Sequence, residues 1–161
     1  MKFVSKLFIA LMLIGTVSCE NEEYNDIYGR PVDFRVNIDF LDKDLTASLS
    51  TKSFTVPRAG SPYLGFGGLL VVRSVYPREG YGNLLDLYAF DLACPFEKRQ
   101  DFHVEATTDG KAKCEHCGSV FNLLGGKYNL VSGPSKESLV TYPVYYRANE
   151  QGTVFHILSK Y

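Results

Sequence analysis

The run Cys114-Glu115-His116-Cys117 puts two thiols and an imidazole within one turn of chain, and Cys94-Pro95 supplies another thiol twenty residues upstream. Thiolates are soft donors that select zinc or iron–sulfur clusters over hard cations. Two short sulfur-bearing loops separated by a hairpin-sized insert can close like fingertips around one metal centre. Glu97, three residues after Cys94, has the best claim among the non-sulfur donors of the first loop. His103 follows Phe102 on what should be a strand between the loops, where a surface role is the ordinary outcome. His156 lies in the apolar-rich strand candidate Val154-Phe155-His156-Ile157 and reads as a half-exposed strand residue.

Other chemistry is thinly represented. There is no nucleophile elbow, paired-carboxylate motif or phosphate-cradling loop, and Gly65-Phe66-Gly67-Gly68 precedes a strand rather than a helix. An enzyme is not expected.

The fourth cysteine belongs to a different story. Lys2 and Lys6 head an apolar stretch from Leu7 to Val17, too short to span a bilayer, which stops at Ser18-Cys19. This resembles a bacterial lipoprotein signal (residues 1–18), with Cys19 as the lipidated first residue of the mature chain. An acyl group there would hold the protein on the membrane of the cell envelope, at the outer membrane or cell surface, without a spanning helix. Residues 19–31 then form an acidic tether, and 32–161 the folded domain. Losing Lys2 and Lys6 takes the basic count from 17 to 15 against 18 acids, a formal charge of −3. This balance argues against nucleic acid, which demands a basic face, as a partner. The expected partners are the membrane, through Cys19, and an unidentified protein.

The elements around the loops read as strands. Val32 to Phe40 alternates with period two, Ser53 to Val56 is a short candidate, and Leu69 to Val75 is a continuous apolar run of strand length. Leu84 to Phe90 returns after the Gly-rich turn at 77–83. Ser138 to Arg147 and Thr153 to Leu158 close the chain as a hairpin around Asn149 to Gly152. Tyr142, Tyr145 and Tyr146 read as sheet packing. A single helical turn near Asp42 to Leu49 is the one exception to an all-β, antiparallel sandwich or barrel.

From Gly65 onward the chain resembles the Rieske iron–sulfur family. The resemblance is carried by Gly67-Gly68-Leu69-Leu70-Val71-Val72, by Tyr88 to Pro95, by Asp109 to Asn122, and by Gly125-Gly126, Gly133-Pro134, Leu139 and Tyr142-Pro143-Val144. It implies the Rieske fold, with residues 91–135 as a small two-loop subdomain, and a 2Fe–2S cluster held by one Cys and one His from each loop. Cys94 and Cys114 match the cysteine ligands. The first histidine position falls on Phe96, which has no donor atom. The second falls on Cys117, with His116 one place early. The resemblance also implies that Gly118 and Pro134 shape the loops and that Ser119 hydrogen-bonds to the centre, while Phe121 replaces a Tyr.

Three cysteines leave one unpaired in a disulfide-only account, whereas a metal account uses all three. Three outcomes follow. A 2Fe–2S cluster for one-electron transfer would use Cys94, Cys114 and Cys117, completed by His116, Glu97 or His103. A zinc ion would sit on the three cysteines with a His or Glu. Alternatively the domain is metal-free, a binding or structural module with its thiols free or paired.

Overall fold

The computed structural model describes residues 27–124, 129–148 and 150–159. The expected signal segment, Cys19 and the expected tether up to Asp26 lie outside these residues, as do Gly125, Gly126 and Asn149. Twelve strands run through the described residues: β1 (Val32–Asn37), β2 (Thr51–Phe54), β3 (Tyr63–Leu64), β4 (Leu69–Pro77), β5 (Leu85–Asp91), β6 (Val104–Ala106), β7 (Lys111–Cys114), β8 (Val120–Asn122), β9 (Leu130–Ser132), β10 (Thr141–Tyr142), β11 (Val144–Arg147) and β12 (Val154–Ser159). They form three antiparallel sheets, ordered β11-β12-β1-β3, β10-β5-β4-β2 and β6-β7-β8-β9. The protein is all-β, and no helix among the described residues is long and apolar enough to cross a membrane.

The unbroken apolar run of β4 explains the layering. Side chains alternate across a strand, so a strand covered on both faces needs apolar residues at consecutive positions. Leu69 and Val71 enter one core with Phe34, Val36, Phe155 and Ile157 of the first sheet. Leu70 and Val72 enter a second core with Val104, Ala112, Phe121 and Leu123 of the third. The middle sheet is thus the shared wall, and the third sheet carries both cysteine loops.

Two boundaries differ from the sequence pattern. The alternation through Phe40 predicts a longer β1, but the strand stops at Asn37, whose Oδ1 accepts the N–H groups of Asp39 and Phe40 at 3.1 Å each. An Asn side chain that satisfies the backbone in this way turns the chain, leaving Phe40 exposed. The helical turn expected near Asp42 is a short 3-10 segment, Lys43–Leu45, burying Leu45. Residues 27–31, grouped with the tether by sequence, lie against the body: Ile27 is buried with Phe66 and Ala93.

Asp42 anchors this end of the first core. It is fully buried and takes a fork from Arg58, Nη1 to Oδ2 at 2.9 Å and Nη2 to Oδ1 at 2.7 Å, besides the N–H of Asn37 at 3.0 Å. Arg58 in turn covers the rings of Phe34 and Phe54. Burial works to raise the Asp42 pKa, but Arg58, Asn37 and Lys52 together bring it below the ordinary carboxylate value. A depressed carboxyl contributes stability above its unfolded pKa, near 3.8, and loses it as pH falls through the folded value. Asp42→Ala is therefore expected to lower stability by about 3 kcal/mol at neutral pH, since it orphans a partly buried guanidinium. Urea unfolding at neutral pH and near pH 3 checks this: the gap between variant and parent should shrink in acid.

Candidate metal centre

Each loop is fixed by strand pairing on both sides. In the first, Cys94 N donates to Phe102 O at 2.8 Å, Val104 N to Leu92 O at 2.9 Å, and Ala93 forms a bridge with His103. In the second, Lys113 pairs with Val120, and Cys114 N donates to Ser119 O at 2.9 Å across the loop neck. The pairing of Val104 with Cys114 sets the loops side by side. The two thiols that open the loops are thereby aimed into one apolar pocket.

Cys94, Cys114 and Cys117 meet there. Their sulfurs all lie within 4.8 Å of one another, and Cys94 and Cys117 are 3.6 Å apart. The cysteines are free thiols, with Cys94 and Cys114 buried and Cys117 half-buried. Tetrahedral coordination with zinc–sulfur bonds of about 2.3 Å puts neighbouring sulfurs roughly 3.8 Å apart, which is close to the Cys94–Cys117 separation, and the third sulfur lies near enough to join them on one ion.

The other expected donors are placed differently. His116 is exposed, its ring stacked on Phe102 at a centroid distance of 4.2 Å and its Nδ1 2.8 Å from Glu97 Oε1. His103 Nε2 is 2.7 Å from Gln100 O. Phe96 points outward. Ser119 borders the pocket: its Oγ lies 3.2 Å from the Cys117 sulfur and accepts the N–H of Ser135, next to Pro134, at 3.0 Å. Gly133, at φ +103, touches Ser119 so closely that a methyl group would run into its backbone. Gly118 supplies the positive φ of +76 that ends the second loop.

The thiols differ in acidity. Burial, set against N–H bonds from Glu97 and Phe96, pushes Cys94 up to about 12. Burial also acts on Cys117, but hydrogen bonds from the Ser119 hydroxyl and backbone, with the neighbouring thiols, bring it below the usual thiol value. A metal ion must therefore displace the Cys94 proton throughout the neutral range. Zinc affinity is expected to rise at least about tenfold per pH unit between roughly pH 6 and 8. Competition against a chromophoric chelator at several pH values checks this, and a flat profile would mean Cys94 does not bind as thiolate.

One structural residue had no reading in the sequence. Asp91 is buried and accepts four donors: Gly67 N and Ala93 N on Oδ1, at 3.0 and 2.9 Å, and Phe66 N and the Tyr142 hydroxyl on Oδ2, at 2.7 Å each. It ties the Gly65–Gly68 turn to the residue before Cys94. Burial first of all raises the pKa of both partners, so the Tyr142 hydroxyl stays protonated and keeps donating. A charged residue inside the apolar run Ala89 to Cys94 was the available signal.

No family model and no curated protein matches the chain. Fold and pocket together define an all-β protein in which three close cysteines, where the two loops meet, could hold a metal ion.

Proposed function

We propose that this is a lipid-anchored envelope protein whose Rieske-like β domain holds one metal ion, zinc by preference, through Cys94, Cys114 and Cys117. The observation that carries this reading is the mutual closeness of the three sulfurs. Borderline and soft divalent ions take such a donor set readily, and zinc needs no redox partner. When bound, the ion would tie together two loops whose tips are otherwise joined by the Glu97–His116 contact and the stack of His116 on Phe102. The protein's role is then that of a binding or structural module at the membrane surface, held there through Cys19, with a protein partner and no catalysis of its own.

A second reading is a 2Fe–2S cluster used for electron transfer. The order of Cys, Gly, Ser and Pro in the loops favours it, as does Ser119 beside the Cys117 sulfur. Against it stands the donor count. A cluster needs two protein ligands on each iron, and the position where the family resemblance puts the first loop's histidine is Phe96, which is exposed and has no donor atom.

Purification of the full chain without oxygen, followed by metal analysis and a visible spectrum, separates the readings. A colourless protein with about one zinc per chain is expected. A red-brown protein with two irons would replace the single-ion reading by the cluster, and a protein with neither metal would end both.

A further inference from the structure

The two loops follow one plan that their sequences hide. In the second, Gly118 N donates back to Cys114 O at 2.8 Å, and Gly118 has φ +76. In the first, Lys98 N donates back to Cys94 O at 3.1 Å, and Lys98 has φ +52. Each cysteine thus opens a five-residue turn closed by a residue in the left-handed region. Glycine reaches that region freely, whereas a lysine seldom does, so the first turn is imposed by its surroundings.

Corresponding positions of the two turns match in exposure. Two residues after the cysteine come Phe96 and His116, both outward: Phe96 is 49% exposed and the His116 side chain 56%. Three residues after it come Cys117, which joins the sulfur cluster, and Glu97, whose side chain is only 12% exposed although Phe96 and Lys98 beside it are open to solvent. Glu97 is therefore the first-loop counterpart of a metal ligand. Its carboxylate is a zinc donor by nature.

We propose that Glu97 is the fourth ligand of the ion, so that the loops form a Cys-x-x-Glu and a Cys-x-x-Cys knuckle closing on one centre. This rests on the single-ion reading and names the group that completes it. His116 is then a positioning residue. Its Nδ1, 2.8 Å from Oε1, holds the carboxylate between the loop tips, just outside the cluster of three sulfurs that a bound ion would draw it towards, and the stack on Phe102 fixes the ring. Metal-bound carboxylates are commonly oriented by such a neighbour. His116 itself occupies the outward position of its turn and is not a ligand.

The test is zinc and cobalt titration, without oxygen, of full chains carrying Cys19→Ala, so that every remaining thiol belongs to the pocket. Glu97→Gln is expected to weaken zinc binding by about a hundredfold, and His116→Ala by no more than about tenfold. Circular dichroism of the metal-free chains establishes that each variant is folded like its parent. Glu97→Cys supplies the positive control: it should bind cobalt at least as tightly as the parent and raise the sulfur-to-cobalt absorption by about a third, the ratio of four thiolates to three. If the parent binds zinc and Glu97→Gln matches it, or if Glu97→Cys adds no sulfur band, Glu97 is not the ligand. If His116→Ala loses as much affinity as Glu97→Gln, the histidine has the role assigned to Glu97. A parent that binds neither metal overturns the single-ion reading itself, and this inference with it.

Discussion

Cys114→Ser is expected to empty the pocket, taking the protein from about one bound zinc per chain to less than about a tenth. Apparent binding free energies of structural zinc sites are of order 10–16 kcal/mol at neutral pH, and they depend on a complete set of deprotonated donors. Cys114 is fully buried among Leu70, Phe90, Phe121 and Leu123. No solvent can replace its sulfur cheaply, and the hydroxyl left behind sits in apolar surroundings at a further cost of about 1–3 kcal/mol. The melting temperature should therefore fall by more in the metal-loaded comparison than in the metal-free one. Cys114→Ala separates the two contributions: it should lose the metal equally while avoiding the buried hydroxyl. Metal analysis with calorimetry reads both, and a serine variant that keeps its full zinc would remove Cys114 from the ligand set.

Asp91→Asn should be nearly as damaging, although it changes one atom and lies outside the pocket. Each carboxylate oxygen accepts two donors. An amide offers one accepting oxygen and one donating nitrogen, so whichever way it is turned, two donors face a third. Buried unsatisfied donors cost about 1–3 kcal/mol apiece, which places the loss near 3–5 kcal/mol and the drop in melting temperature at roughly 10 °C or more. Tyr142→Phe removes a single donor from the same carboxylate and should cost only about 1 kcal/mol. Because the Ala93 N–H bond positions the residue before Cys94, Asp91→Asn should also weaken zinc binding where Tyr142→Phe does not. Equal effects of the two variants would show that the carboxylate does not act as a clamp.

The parts of this structure that were legible in the sequence are those with local causes. The doubly apolar β4, the returning β5 and the terminal hairpin were visible because side-chain period and turn chemistry act over a few residues. The convergence of Cys94, Cys114 and Cys117 was readable from two loops and an insert of hairpin length, a topology that leaves the thiols little choice. What stayed hidden depends on residues far apart in the chain. Asp91 gains its meaning from Phe66, Gly67 and Tyr142, which no spacing rule connects to it. The shielding of Glu97 and the exposure of His116 belong to two turns that close with positive φ at Lys98 and Gly118. Glycine announces that conformation in the sequence and lysine does not. The early end of β1 at Asn37 shows the same limit at short range, since a side-chain cap overrode an apolar alternation that continues to Phe40.

X-ray absorption at the edge of the metal found in the full chain tests the central claim most directly. One zinc ion with three sulfurs near 2.3 Å and one oxygen near 2.0 Å is the predicted environment. A short metal–metal neighbour, fewer than three sulfurs, or a chain that carries no metal and joins Cys94 to Cys117 in a disulfide would contradict it.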